Sequence, residues 1–191
     1  MALSHPALGH AGGLNQAQVQ TPHLTLRPLE PADADALHRI YQSEGVLRYF
    51  PNPSPPPLEK VQRFIAGQLA HWEKFGYGNW GILPAGETEI IGWAGLQYLP
   101  ELEETEVGFL LDRPFWGKGI ATEAALFSLD FGFERFDLAH IIALVHPENP
   151  ASRRVIEKCG MTYVDTLSLW GMELMHHRID KEPKNEPVPE A

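Results

Sequence analysis

The chain has 191 residues, 43% of them hydrophobic and 21% charged, and 15 Lys+Arg against 25 Asp+Glu leave a formal net charge of −10. That length supports one well-buried core and is short for two, and so acidic a chain argues against a nucleic-acid backbone as main partner while suiting cationic ones, amines included. A single cysteine, Cys159, excludes an internal disulfide framework and any multi-cysteine metal site, and no apolar run approaches the roughly 18 residues of a membrane span.

Residues 1–20, rich in Ala, Gly, Gln and His without a period, read as a flexible tail. They have no basic n-region or sustained apolar stretch, so a secretory signal is not expected and a reducing cytoplasm is. Residues 180–191 (DKEPKNEPVPEA) are charged and Pro-punctuated, a second, acidic tail. No linker or repeat divides the stretch between, so residues 21–179 are expected to form one domain.

Within it, His23–Leu29 alternates as a first strand, and Pro31 opens a helix that places Leu37, Ile40 and Tyr41 on one face. The connection Tyr49–Pro57 (YFPNPSPPP) holds too many prolines for regular structure. A long helix follows, with Val61, Phe64, Ile65, Leu69 and Trp72 at helical spacing, ended by Gly76 and Gly78. Strands are expected over Asn79–Leu83, Glu89–Tyr98 and Thr105–Leu111, then a helix over Gly119–Arg135. Ala139–Val145 (AHIIALV) is nearly continuous apolar, as a strand covered on both faces in a parallel arrangement would be. Helix Asn149–Cys159 and strands Met161–Leu169 and Met172–Ile179 close the domain. The order specifies an α/β chain: a mixed, twisted sheet of six to seven strands with helices on both faces.

Three local features carry chemistry. Gly108 interrupts a good strand, which suggests a bulge or a close approach to the backbone, with a tolerated glycine as the alternative. Arg113-Pro-Phe-Trp-Gly-Lys-Gly-Ile-Ala-Thr122 is a glycine-bearing turn into the long helix, where inward N–H groups and the helix N-terminus form an anion site suited to a pyrophosphate. It matches neither a P-loop nor a dinucleotide fingerprint. Asn149-Pro-Ala-Ser152 opens the next helix, with Asn149 reading as N-cap, Pro150 as first helical residue and Gly160 as terminator. The histidines show no metal pattern, and His176 and His177 point to opposite faces of one strand.

Leu111–Ala124, followed by Asn149-Pro-Ala-Ser152 and Glu157-Lys-Cys-Gly-Met161, resembles the GCN5-related N-acetyltransferases. More narrowly, the chain is similar to the branch that includes the bacterial ribosomal-protein N-terminal acetyltransferases. The resemblance implies a splayed parallel pair at the centre of the sheet, Thr105–Leu111 beside Ala139–Val145, with acetyl-CoA in the gap. It implies that Phe109, Leu110 and Leu111 offer backbone groups to the pantetheine arm and the thioester carbonyl. Trp116, Gly117, Lys118, Gly119, Ile120, Ala121 and Thr122 would hold the pyrophosphate, with Arg113 nearby, and Asn149 would bond the pantetheine from the other side. One departure is Pro114, which stands where the family often has Gln or Arg.

Transfer of acetyl to an amine needs a base for the ammonium, donors for the carbonyl oxygen and an acid for the leaving thiolate. Glu106 is the expected base. Ile156 occupies the place of the tyrosine that many family members use as acid, and Ser152 fills the position where the ribosomal-protein branch carries a serine. Glu101, Glu103 and Glu104 are expected to form an acidic mouth. The acceptor would be gripped by Gly45–Pro57 and the Trp170-Gly171 turn; a protein N-terminal amine is favoured, with a polyamine or other small amine as alternative. A non-catalytic acyl-CoA sensor is the competing reading, no metal is expected, and monomer and homodimer both stay open.

Overall fold

The computed structural model describes residues 18–182. Eight strands form one sheet in the order β1-β2-β3-β4-β5-β6-β8-β7. They are β1 Val19–Gln20, β2 Leu24–Pro28, β3 Asn79–Pro84, β4 Gly92–Leu99, β5 Glu104–Leu111, β6 His140–Val145, β7 Thr162–Leu169 and β8 Met172–Asp180. The helices are α1 Ala34–Gln42, α2 Leu58–Phe75, α3 Ile120–Arg135 and α4 Pro150–Lys158. The expected count of six to seven strands is thus corrected to eight. The extra strand is β1, whose two residues fall inside the segment read as a tail and pair with Leu26 and Thr25. So short a strand has no pattern of its own; its partner defines it. Residues 1–17 of that tail, and residues 183–191 of the other, lie outside the described residues.

Helices cover both faces. Leu37, Ile40 and Tyr41 of α1 and Val61 and Ile65 of α2 pack with Leu83, Trp93 and Leu110 on one side. Ala124 and Phe127 of α3 and Ile156 of α4 pack with Ile82, Ala94, Val107, Ile141 and Ala143 on the other. The alternation Ile82/Leu83 and Trp93/Ala94 divides each strand between the two cores, as the period of two requires. Each such buried side chain contributes about 1.5–3 kcal/mol relative to exposure. Trp72, near the end of α2, instead meets Trp80 edge-on at 4.6 Å, joining the α3 side.

Two polar ties fix the helices to the sheet. Arg27 of β2 donates two bonds to the Asp33 carboxylate, each 2.7 Å, and Asp33 also accepts the Glu30 N–H at 2.7 Å ahead of α1. His71 of α2 accepts the Tyr98 N–H at its Nε2, so its Nδ1 carries the proton and donates to the Tyr77 carbonyl at 2.8 Å. Burial holds the His71 pKa below the usual imidazole value, keeping it in that neutral form.

The β4–β5 register runs without a break from Gly92 opposite Leu111 to Leu99 opposite Glu104. The bulge expected at Gly108 is therefore absent from this pairing, and a Cβ there would stand 3.4 Å from the Trp93 ring, an ordinary contact. Close approach falls on two glycines of β4 instead: a Cβ at Gly92 would lie 2.1 Å from the Leu110 carbonyl oxygen, and one at Gly95 2.2 Å from the Gly78 carbonyl oxygen. The sheet does shift register in β7, between Tyr163 and Asp165.

β5 and β6 are the parallel neighbours, and their recorded pairing is confined to Glu106 opposite Ile142. Beyond that pair the strands part, which gives the splayed pair at the centre of the sheet. Because β5 and β6 run the same way, α3 and α4, which follow them, begin at the same end of the gap.

Candidate active site

The turn from β5 into α3 is built locally. Asp112 Oδ1 accepts the Arg113 N–H at 2.8 Å and starts a short 3-10 turn, Arg113–Phe115. Bonds from Phe115 N to Asp112 O and from Trp116 N to Arg113 O close it, so Pro114, with no N–H to offer, fits without loss. Trp116 donates its indole N–H to the Leu111 carbonyl at 2.8 Å, folding the turn back on the strand while its ring stays exposed. Gly117 and Gly119 take φ of 74° and 83°, left-handed values that penalise a side chain. Space is not the constraint, since nothing lies within 4 Å of a Cβ at either.

Gly119 is the N-cap of α3, and the first helical bond runs from Glu123 N to Gly119 O. The N–H groups of Ile120, Ala121 and Thr122 therefore point out of the first turn without intrahelical partners. The helix adds roughly half a positive charge at that end. Lys118 sits 5.3 Å from the Phe115 ring, while Arg113 is ion-paired with Glu44 in the α1–α2 connection. Donors for an anion in this acidic chain are thus chiefly backbone. Gly119→Ala places about 1–2 kcal/mol of left-handed strain at the N-cap. If anion binding needs the native turn, acetyl-CoA affinity falls about tenfold. Titration calorimetry of the folded variant reads this directly.

In the gap, Glu106 faces the α1/α2 side of the sheet with Leu110, two and four residues along β5 from the other members of that face. Its Oε1 accepts the Leu144 N–H of β6 at 3.3 Å, where the strand pairing has ended. The residue keeps some exposure, but its carboxyl group lies deep between the strands. Loss of water there pushes its pKa up to about 7, and the Leu144 N–H offsets only part of that. A carboxyl with that pKa is half-ionised near neutrality, as a general base requires. Leu110 and Leu111 are buried and Phe109 packs against the core, so from Val107 onward it is the β6-facing backbone edge of β5 that borders the gap.

Across the gap, Asn149 caps α4, its Oδ1 accepting the Ser152 N–H at 3.1 Å. The capping role is observed, and the Nδ2 donors of the same amide point away from that bond. Ser152 is half-buried in the first turn of α4. Ile156, 2% exposed, packs into the core, so this helix offers no phenol. Cys159 is buried and its thiol pKa is pushed up to about 11, which fits a packing role and not a nucleophile.

The segments expected to grip the acceptor bring together groups with no sequence signature. Tyr49 of the α1–α2 connection lies 5.2 Å from the His146 ring just after β6, with the Arg48 guanidinium 5.3 Å over Tyr49. At the β7–β8 turn Trp170, at φ 53°, donates to Glu101 Oε1 at 3.3 Å. Of the expected acidic mouth, Glu101 is engaged by Trp170 and Glu104 by His140, while Glu103 occupies a left-handed turn position. Trp93 donates to the Tyr41 hydroxyl at 3.2 Å, and burial raises that phenol to about 12, too high for a base near neutrality. Among the described residues no group of His, Cys, Asp and Glu could hold a metal ion, and no helix is long and apolar enough to cross a membrane.

The acetyltransferase (GNAT) domain model matches residues 23–162. The uncharacterized N-acetyltransferase p20 of Bacillus licheniformis is 33% identical over 138 residues, covering 71% of this chain and 77% of that protein. The spermidine N(1)-acetyltransferase of Escherichia coli is 27% identical over 141 residues, 72% of each. A crystal structure of an acetyltransferase from Agrobacterium tumefaciens superposes with a TM-score of 0.75 at 29% identity, covering 92% of this chain and 99% of that one. From β2 to α4, and through the glycine turn and the splayed strands, the chain belongs to the GNAT acetyltransferase family.

Proposed function

We propose that this enzyme transfers acetyl from acetyl-CoA directly to a primary amine, with Glu106 as general base and the N-terminal amine of a protein as the favoured acceptor. The observation that carries the reading is the Glu106 carboxyl, deep in the β5–β6 gap with its pKa raised to about 7. Acetyl-CoA fits the donor set: the Gly117–Thr122 N–H groups suit a pyrophosphate, and the β6-facing edge of β5 suits the pantetheine amides. It supplies a thioester carbonyl that a neutral amine can attack. An amine acceptor arrives mostly protonated, with a pKa near ~8 for an α-amine and ~10 for a lysine-like one. Glu106 accepts that proton at a carboxylate oxygen, and the β5 backbone N–H groups stabilise the charge that develops on the carbonyl oxygen. The Ser152 hydroxyl, in the first turn of α4, is assigned the bond to the departing sulfur.

Branch resemblance favours a protein N-terminus, and its lower amine pKa makes the proton easier for a carboxylate of pKa about 7 to remove. The spermidine acetyltransferase relative supports a polyamine as the second reading. The two separate in one assay. Hexapeptides with a free N-terminus, N-terminally blocked peptides containing lysine, and spermidine are compared by kcat/KM. The reading predicts at least a tenfold preference for the free N-terminus; equal or better use of spermidine overturns it.

A further inference from the structure

The C-terminal half of the sheet carries a second polar group on the face that Glu106 occupies. Glu106 lies opposite Ile142, and Leu144, two residues further along β6, therefore points to the same face. Leu144 lies opposite His176 of β8, and His176 opposite Asp165 of β7. Directly opposed residues share a face, so Glu106, Leu144, His176 and Asp165 all project from one side. α3 and α4 cover the other side of this half-sheet, where Ile141, Ala143 and Val145 pack with Ile156. The Glu106 carboxylate already reaches β6, at the Leu144 N–H. His176 stands one strand further, about 4.8 Å across.

The histidine is held in a defined orientation. Its Nδ1 lies 2.9 Å from Asp165 Oδ1, and a carboxylate there can only accept, so the proton sits on Nδ1. In the neutral ring Nε2 then offers a lone pair. That nitrogen is the buried side-chain polar atom without a hydrogen-bond partner among the described residues, on a side chain 14% exposed. Such an unmet buried acceptor is destabilising and rare in a settled fold. The turn of the same hairpin is held to the β4–β5 connection by the Trp170–Glu101 bond at 3.3 Å.

We propose that His176, oriented by Asp165, is a second acceptor-binding residue: its Nε2 accepts an N–H of the incoming amine. The inference rests on Glu106 serving the same site. A primary ammonium has three protons. Glu106 takes one, His176 holds a second, and the nitrogen lone pair is freed toward the thioester. A secondary ammonium has two protons, one for each partner, and its second alkyl group takes the place of the remaining N–H; with both partners engaged it is held to a single orientation, so the arrangement selects primary amines.

The test uses the full chain with an Ala-initiated hexapeptide and its N-methyl-Ala counterpart. His176→Phe raises the peptide KM about tenfold, leaves kcat within threefold and acetyl-CoA affinity unchanged, and erases discrimination against the N-methyl peptide. Asp165→Asn has the same effect, because an amide donating to Nδ1 turns Nε2 into a donor. His176→Gln, which restores an acceptor oxygen, recovers most of the KM. If His176→Phe does not fold, the Asp165→Asn and His176→Gln pair carries the test. Folded variants whose peptide KM stays within twofold of the parent overturn the inference. Failure of the base reading is separate: Glu106→Gln with full kcat sinks that reading while leaving the KM result in place. Should the parent turn over no amine, ¹⁵N-histidine spectra of the CoA-loaded chain decide. A shift of the His176 Nε2 resonance on adding the Ala-initiated peptide supports the contact, and no shift at saturating peptide overturns it.

Discussion

Glu106→Gln lowers kcat about 100- to 10,000-fold, the usual worth of a positioned general base, with little change in acetyl-CoA affinity. The substitution keeps shape, and its amide oxygen still accepts the Leu144 N–H that Glu106 satisfies now. What it removes is the proton-accepting carboxylate. With a pKa of about 7, the parent should show kcat/KM rising with pH through neutrality as Glu106 loses its proton. The variant lacks that limb and keeps only the rise from the acceptor's own amine. The stability change has the opposite sense. The folded-state pKa lies above the ordinary 4.5, so between the two values the folded chain holds a proton that the unfolded chain releases, and stability falls as pH rises toward 7. Glu106→Gln is free of that penalty and is expected to melt higher than the parent at pH 8. Slow turnover with higher stability marks a functional residue held at a stability cost.

The largest effect on stability is expected at Asp33. The residue is 6% exposed, and its carboxylate takes both Arg27 bonds and the Glu30 N–H, joining β2 to the start of α1. Asp33→Ala leaves the Arg27 guanidinium, on a 17% exposed side chain, with only the Pro28 carbonyl at 3.1 Å and Glu30 at 3.9 Å, and costs about 3 kcal/mol. Urea denaturation at pH 7 reads it as a lower midpoint with an unchanged slope. The double variant Arg27→Leu/Asp33→Leu recovers a substantial part, because the penalty comes from the stranded charge and not from loss of the pair itself. α1 leads into the connection that carries Tyr49, so acceptor KM should also rise in Asp33→Ala before acetyl-CoA binding weakens.

How much of this was legible in the sequence depended on range. The Gly117/Gly119 turn and the Asn149 cap were readable because each conformation is dictated by the residue that adopts it: left-handed φ at the glycines, an N-cap bond at the asparagine. The two faces of the sheet followed from strand periodicity, and the opposed directions of His176 and His177 came out as expected, with His177 in the core and His176 beside Asp165. Long-range partners were not readable. β1 exists through pairing and not pattern. Gly108 was read as a bulge or a close approach to the backbone, with a tolerated glycine as the alternative, because a lone strand cannot say which glycine meets a neighbouring backbone; here Gly92 and Gly95 of β4 do. The Asp165–His176 pair depends on a one-residue register shift in β7 that no local motif encodes. The side-chain partners of Glu101 and Glu104, Trp170 in the β7–β8 turn and His140 on β6, were unreadable for the same reason.

Direct acetyl transfer to the amine, with the Glu106 carboxylate as general base, is the central claim, and release of free thiol from acetyl-CoA across pH 6 to 9, with peptide mass recorded in parallel, tests it most directly. The account predicts stoichiometric thiol release and peptide acetylation, no acetyl adduct on the enzyme, a pH limb near 7 in the parent and its loss in Glu106→Gln. Tight acetyl-CoA binding with no thiol released to any amine, or an unchanged pH profile in Glu106→Gln, would contradict it.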